Sequence, residues 1–144
     1  MGRVRGRSAA TAVAIALAAL SLGGCATSSA SGSCAGSSIV LGDSDLRPGG
    51  TVRLSVDHMW RTCEDTGGTA VPSQDVTVSI TPAATSRAVL LGRPVPQGEQ
   101  MTVSGAFDLP TDLPPGDAVI TVASHEGDLA GADLPVRISG SASG

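Results

Sequence analysis

Beyond residue 34 the chain alternates between apolar and polar positions, and a period of two marks strands with one covered face. Residues 51–60 show it best. Val52, Leu54, Val56, His58 and Trp60 share one face, while Thr51, Arg53, Ser55, Asp57 and Met59 share the other. This parity turns His58 and Trp60 inward and Met59 outward. Residues 74–81 repeat the pattern, with Val76, Val78 and Ile80 inward and Pro82 as the stop. In 100–109, Met101, Val103, Phe107 and Leu109 align, with Gly105 as a gap that points to a bulge or a large neighbour, Trp60 being the obvious occupant. Residues 132–138 place Leu134, Val136 and Ile138 on one side and Pro135 on the other, which limits that segment to an edge or a strand start. Residues 38–41 and 118–123 are short strand candidates, and 87–91 are ambiguous.

Turn chemistry separates these segments. Pro48 and Gly49 suit a type II turn, with proline at its second position and glycine at the positive-φ third. Asp112, Leu113, Pro114, Pro115 and Gly116 repeat the idiom before another strand, through repeated use of a good turn or through internal duplication. Arg93 to Gly98, with two prolines, form a rigid connection that cannot lie inside a central strand. No segment after Cys34 sustains a helical period. About seven short strands with turns between them predict an all-β domain, a two-sheet sandwich.

The N-terminus breaks the alternation. Residues 9–22 are apolar or small and uncharged, preceded by Arg3, Arg5 and Arg7 and followed by Gly23, Gly24 and Cys25. The run is short of the roughly 20 apolar residues a spanning helix needs. Leu22, Gly23, Gly24 and Cys25 resemble the lipobox of bacterial lipoproteins, with the charged and apolar regions of a secretory leader before it. The resemblance, over about one sixth of the chain with those regions, implies a diacylglyceryl group on the Cys25 sulfur and cleavage just before it. The expected organisation is a signal peptide at 1–24, a flexible Ala, Ser, Thr and Gly tether at 25–33, a β-sandwich at 34–138 and a loose tail at 139–144. Lipid on Cys25 would hold the protein to the outer face of the cell membrane.

Composition changes the picture once the leader is set aside. Six arginines remain against thirteen acids, a net charge of −7, and there is no lysine. Such a surface argues against nucleic acid as a partner and against electrostatic adhesion to anionic lipid, leaving the anchoring to the acyl chains. The Ala, Gly, Arg and Asp bias without lysine resembles that of a high-GC actinobacterium. Trp60 and Phe107 are the only Phe, Trp or Tyr residues and are the candidates for large core side chains.

With Cys25 taken by lipid, Cys34 and Cys63 remain, and outside the cytoplasm such a pair is expected to oxidise to a disulfide. Closing that loop is worth about 3–4 kcal/mol in the chain-entropy picture. A metal or redox pair is the competing reading, although a spacing of 29 residues is neither CxxC nor a zinc pattern. The Cys34 and Cys63 pair, Trp60 in the sequence WRTCEDTGG and the late PPG turn resemble the immunoglobulin-like modules of actinobacterial surface lipoproteins. An immunoglobulin domain proper puts its tryptophan well before the second cysteine, so the resemblance is to an immunoglobulin-like sandwich.

Chemistry is sparse. Ser124, His125 and Glu126 are adjacent in sequence, but neighbouring strand residues point to opposite faces, which does not make a nucleophile, base and orienting group. His58 is a candidate copper or zinc ligand if Met59 or His125 joins it, yet Met59 faces the other way on an unbroken strand. Asp43 with Asp45, or Glu64 with Asp65, could bind calcium loosely but match no EF-hand. No phosphate loop is present, and no cofactor is expected. The reading is a lipid-anchored, non-enzymatic binding or scaffold module of the cell envelope, with an envelope protein or glycan as partner and loops 61–72 and 92–99 as the surfaces to watch. The alternative is a metal-binding protein or small envelope enzyme using His58.

Overall fold

The computed structural model describes residues 36–64 and 69–140. Nine strands follow one another: β1 (Ile39–Leu41), β2 (Thr51–Val56), β3 (Trp60–Thr62), β4 (Val71–Pro72), β5 (Val76–Pro82), β6 (Val89–Gly92), β7 (Val103–Asp108), β8 (Gly116–Ser124) and β9 (Gly131–Ile138). They form a three-stranded sheet in the order β1-β2-β7, a four-stranded sheet in the order β6-β5-β8-β9, and a separate β3-β4 hairpin. Every pairing is antiparallel. The domain is an immunoglobulin-like β-sandwich, all-β among the described residues, with seven strands in its two main sheets.

The strand order departs from the constant-type immunoglobulin fold in one place. There the fourth strand joins the sheet holding the first, second and fifth. Here the fourth main strand, β6, pairs with β5 in the opposite sheet.

The core follows from the period of two. Val52, Leu54 and Val56 of β2 and Val103 of β7 form one cluster with Val76, Val78 and Ile80 of β5 and Ala118, Ile120 and Val122 of β8. Register keeps inward residues opposite one another, as with Val78 and Val122 or Ile80 and Ile120. Each Val or Ile so buried contributes about 1.5–3 kcal/mol relative to exposure. Strand β9 keeps the same discipline. Leu134 and Val136 pair with the inward Ile120 and Ala118, whereas Pro135 lies opposite Val119 on the outer face. As its proline requires, β9 is an edge strand.

The expected strand at 51–60 is broken. Strand β2 ends at Val56, and His58 takes φ 65°, a left-handed conformation that histidine tolerates better than most residues. The kink advances the parity by one residue. Met59 becomes fully buried and His58 half-exposed, the reverse of the alternation reading. His58 N donates to Gln100 O at 2.8 Å and Met59 N to Met101 O at 3.1 Å, so the kink stays bonded to the segment leading into β7.

The two aromatics part ways. Phe107 packs against the buried cluster, as expected of a core residue. Its ring lies over Gly105 on its own strand and against Gly92 of β6: a Cβ at Gly105 would stand 3.2 Å from the ring, and one at Gly92 only 2.8 Å. The gap at Gly105 is therefore filled by Phe107, not Trp60. Trp60 is half-buried and does not pack against the core cluster, because the kink at His58 carries it into the β3-β4 hairpin.

The sandwich has two distinct ends. The Pro-Gly end collects residues 42–50, 83–88 and 109–115. Arg47, Pro48, Gly49 and Gly50 make the expected turn, with Gly50 N donating to Arg47 O at 2.9 Å and Gly49 at φ 74°. This turn is bonded to the exit of β7, just before the second, similar turn sequence: Gly49 N donates to Pro110 O at 3.1 Å and Leu109 N to Gly50 O at 2.8 Å. The hairpin end collects the kink, β3-β4, and residues 93–102 and 125–130. The chain enters the described fold at this end, where the Ser37 hydroxyl donates to His58 O at 3.2 Å.

Candidate functional site

Of the sequence-derived candidates, His58, Trp60 and Cys63 gather at the hairpin end. His58 and Trp60 stack with ring centroids 5.2 Å apart, tilted by 35°. His58 Nε2 lies 3.1 Å from Gln100 Oε1, a side-chain amide in the turn before β7. Cys63 follows β3, and its amide donates to the Asp128 carboxylate at 2.9 Å. Gly36, Ser37, Trp60, Cys63, Asp128 and Leu129 border one shallow open depression. Cys25 and Cys34 lie outside the described residues, as do the leader, the whole tether, the last four residues and Asp65.

The metal arrangement considered for His58 loses one helper. Met59 is sealed in the core at 0% exposure, and His125 Nε2 lies 2.8 Å from Thr77 Oγ1. Among the described residues no group of three or more His, Cys, Asp or Glu side chains could hold a metal ion. Asp45 of the loose calcium pair instead meets Arg47 at 2.8 Å.

Ser124 closes β8, while His125 and Glu126 lie in the turn beyond it, and their side chains take different partners. The Ser124 hydroxyl is buried, 2.7 Å from that of Ser73, and also donates to Glu126 O at 3.2 Å. The Glu126 carboxylate accepts from the Gln74 amide at 2.9 Å. These bonds stitch the start of β5 to the end of β8. The serine pair had no sequence signal beyond Ser124 falling at an inward position of β8.

Two features escaped the alternation reading. The first is a broad depression of about 670 Å³ at the Pro-Gly end of the four-stranded sheet. Pro82, Ala83, Val119 and Pro135 give it apolar walls, and the Arg137–Asp117 ion pair of 2.7 Å flanks it. It arises from β5, β8 and β9, far apart in sequence, so no local pattern announces it. The second is Leu129, 67% exposed and held at φ 55° at the tip of the turn between β8 and β9. The loops 61–72 and 92–99, singled out for partner binding, fall at the hairpin end; residues 65–68 of the first lie outside the described residues.

No helix among the described residues is long and apolar enough to cross a membrane. No protein-family model matches the chain, and neither a curated protein nor a solved structure matches it significantly.

Proposed function

We propose that this protein is a lipid-anchored, non-enzymatic binding module of the cell envelope, held by acyl chains on Cys25 with its hairpin end toward the membrane. One observation carries the reading: the chain enters at Gly36 and Ser37 beside Trp60, at the opposite end of the sandwich from the apolar depression. A tether drawn from Cys25 then presents that depression outward, to an envelope protein rather than to a glycan, since its walls are largely apolar. The two histidines support a binding role over a catalytic one, each having a ring nitrogen taken up by a neutral side chain, Gln100 or Thr77.

The disulfide belongs to the same reading. Cys34 lies two residues before Gly36, a reach of about 7 Å at most along the chain, and Gly36 borders the same depression as Cys63. Pairing Cys34 with Cys63 would clamp the tether's exit to the hairpin.

Two measurements test this. Cys25→Ser should move the protein from the membrane to the soluble fraction, and the intact mass of the unreduced wild type should carry the diacylglyceryl group and lack the two thiol hydrogens. Retention of the serine variant in the membrane would remove the anchor; free thiols would remove the bridge. For the binding role, a photo-crosslinker at Val119, in the depression, should yield one dominant adduct in native membranes. The same group at Ser104, on the outer face of β7, should yield none. Equal labelling at both positions would sink the depression as the contact surface.

A further inference from the structure

We propose that the hairpin end itself rests on the bilayer surface, with Trp60 and Leu129 inserted among zwitterionic lipid headgroups, so that the domain is oriented by contact as well as tethered. This rests on the lipid anchor proposed above and adds a second membrane contact to it.

The first support is reach. Gly36 stands 11 positions after Cys25, with ten residues of largely Ala, Ser and Gly character between them. Fully extended, that stretch reaches about 36–40 Å at most. The chain then enters beside Trp60, where Ser37 bonds the backbone of His58. The face that carries Trp60 is thus the face kept within that distance of the lipid.

The second support is the character of the face. Leu129 is 67% exposed at φ 55°, a conformation that glycine or asparagine adopts at far lower cost. A large apolar side chain held in the open at a strained position is explained by something it touches. Trp60 borders the same depression, and an indole with one wet and one apolar side favours membrane interfaces. Val95, 51% exposed, stands in the neighbouring loop of the same end.

The third is charge. Carboxylates at this end are bound to the fold: Asp57 accepts from Thr102 at 2.6 Å, Asp75 from Arg93 at 3.0 Å, Glu126 from the Gln74 amide and Asp128 from the Cys63 amide, both at 2.9 Å. Glu64 and Glu99 are exposed beside them, so this end carries six carboxylate side chains. A zwitterionic surface therefore fits, and an anionic one is repelled.

The chain has one tryptophan and no tyrosine, so its emission reports this contact directly. The lipidated full chain is reconstituted into phosphatidylcholine vesicles with and without acyl-brominated phosphatidylcholine. Trp60 emission should be blue-shifted relative to soluble Cys25→Ser protein and quenched by the brominated lipid. Adding anionic phosphatidylglycerol should reduce the quenching. Leu129→Asn, which suits the positive φ, should float with the vesicles yet lose most of the quenching. Protein that floats but shows no quenching leaves the anchor standing and overturns the docking. Protein that does not float overturns both. A photo-crosslinker at Leu129 that captures one protein in native membranes, together with Trp60 emission unquenched in pure lipid vesicles, would mean that a protein covers the site, which also overturns the proposal.

Discussion

Gly50→Ala is expected to lower folding stability by about 3 kcal/mol or more, the size reserved for a defect that side-chain rotation cannot relieve. Gly50 is buried and, unlike its neighbour Gly49, does not have a positive φ, so the cost is steric. An alanine methyl would overlap the carbonyl oxygen of Asp45 and stand 3.1 Å from that of Arg47. Both obstacles are backbone, and both are held. Asp45 N donates to Thr51 O at 2.8 Å, Gly50 N donates to Arg47 O, and Gly50 O accepts from Leu109 N. Moving the loop aside breaks the link between β2 and the exit of β7. It also disturbs Leu46, whose carbonyl accepts from Ser139 N at 2.7 Å beyond β9. Gly98→Ala is the control: its methyl meets open space, and the residue has φ 70°. It should cost only the left-handed penalty of about 1–2 kcal/mol. Urea midpoints followed by far-ultraviolet circular dichroism compare the two, and equal midpoints would refute the packing described around Gly50.

Met59→Ala should cost about 2–5 kcal/mol, because truncation leaves a cavity among fully buried neighbours. His58→Asn, one residue away, should cost only about 0.5–1.5 kcal/mol, since asparagine tolerates the positive φ and only the Gln100 bond and the Trp60 stack are lost. The same unfolding measurement distinguishes the pair. A larger loss at position 58 than at 59 would restore the unbroken strand and return His58 to the interior.

That pair also shows where the chain's pattern was legible and where it failed. Alternation located β2, β5, β7 and β9, placed Val76, Val78 and Ile80 inward and assigned Pro135 to an edge, because a half-buried strand writes its geometry into every second residue. Pro48 and Gly49 announced their turn through backbone chemistry alone. The kink at His58 needed only one residue in an uncommon conformation, and one residue is enough to reverse parity for the rest of a segment. Its sole trace was Asp57 beside His58, two residue types that tolerate the left-handed region, followed by an apolar Met59 out of phase. Trp60 was misplaced for that reason, and Gly105 was then matched to the wrong ring. The depression at the Pro-Gly end depends on pairing between β5, β8 and β9, a long-range property with no local signature. The pairing of β6 with β5 is equally non-local, and so the sandwich was legible while its strand order was not.

On the lipid anchor proposed above, Pro135 would have a bearing on how many copies can share a membrane. Molecules anchored in two dimensions meet often and in few orientations, and an open sheet edge then becomes a seed for strand-to-strand assembly. Strand β9 is the long edge of the four-stranded sheet, eight residues from Gly131 to Ile138. A proline near its middle removes a donor that an incoming strand would need. Copies held by the proposed anchor would thereby be denied a continuous ladder, and a densely populated surface would stay a collection of separate domains rather than a fibre.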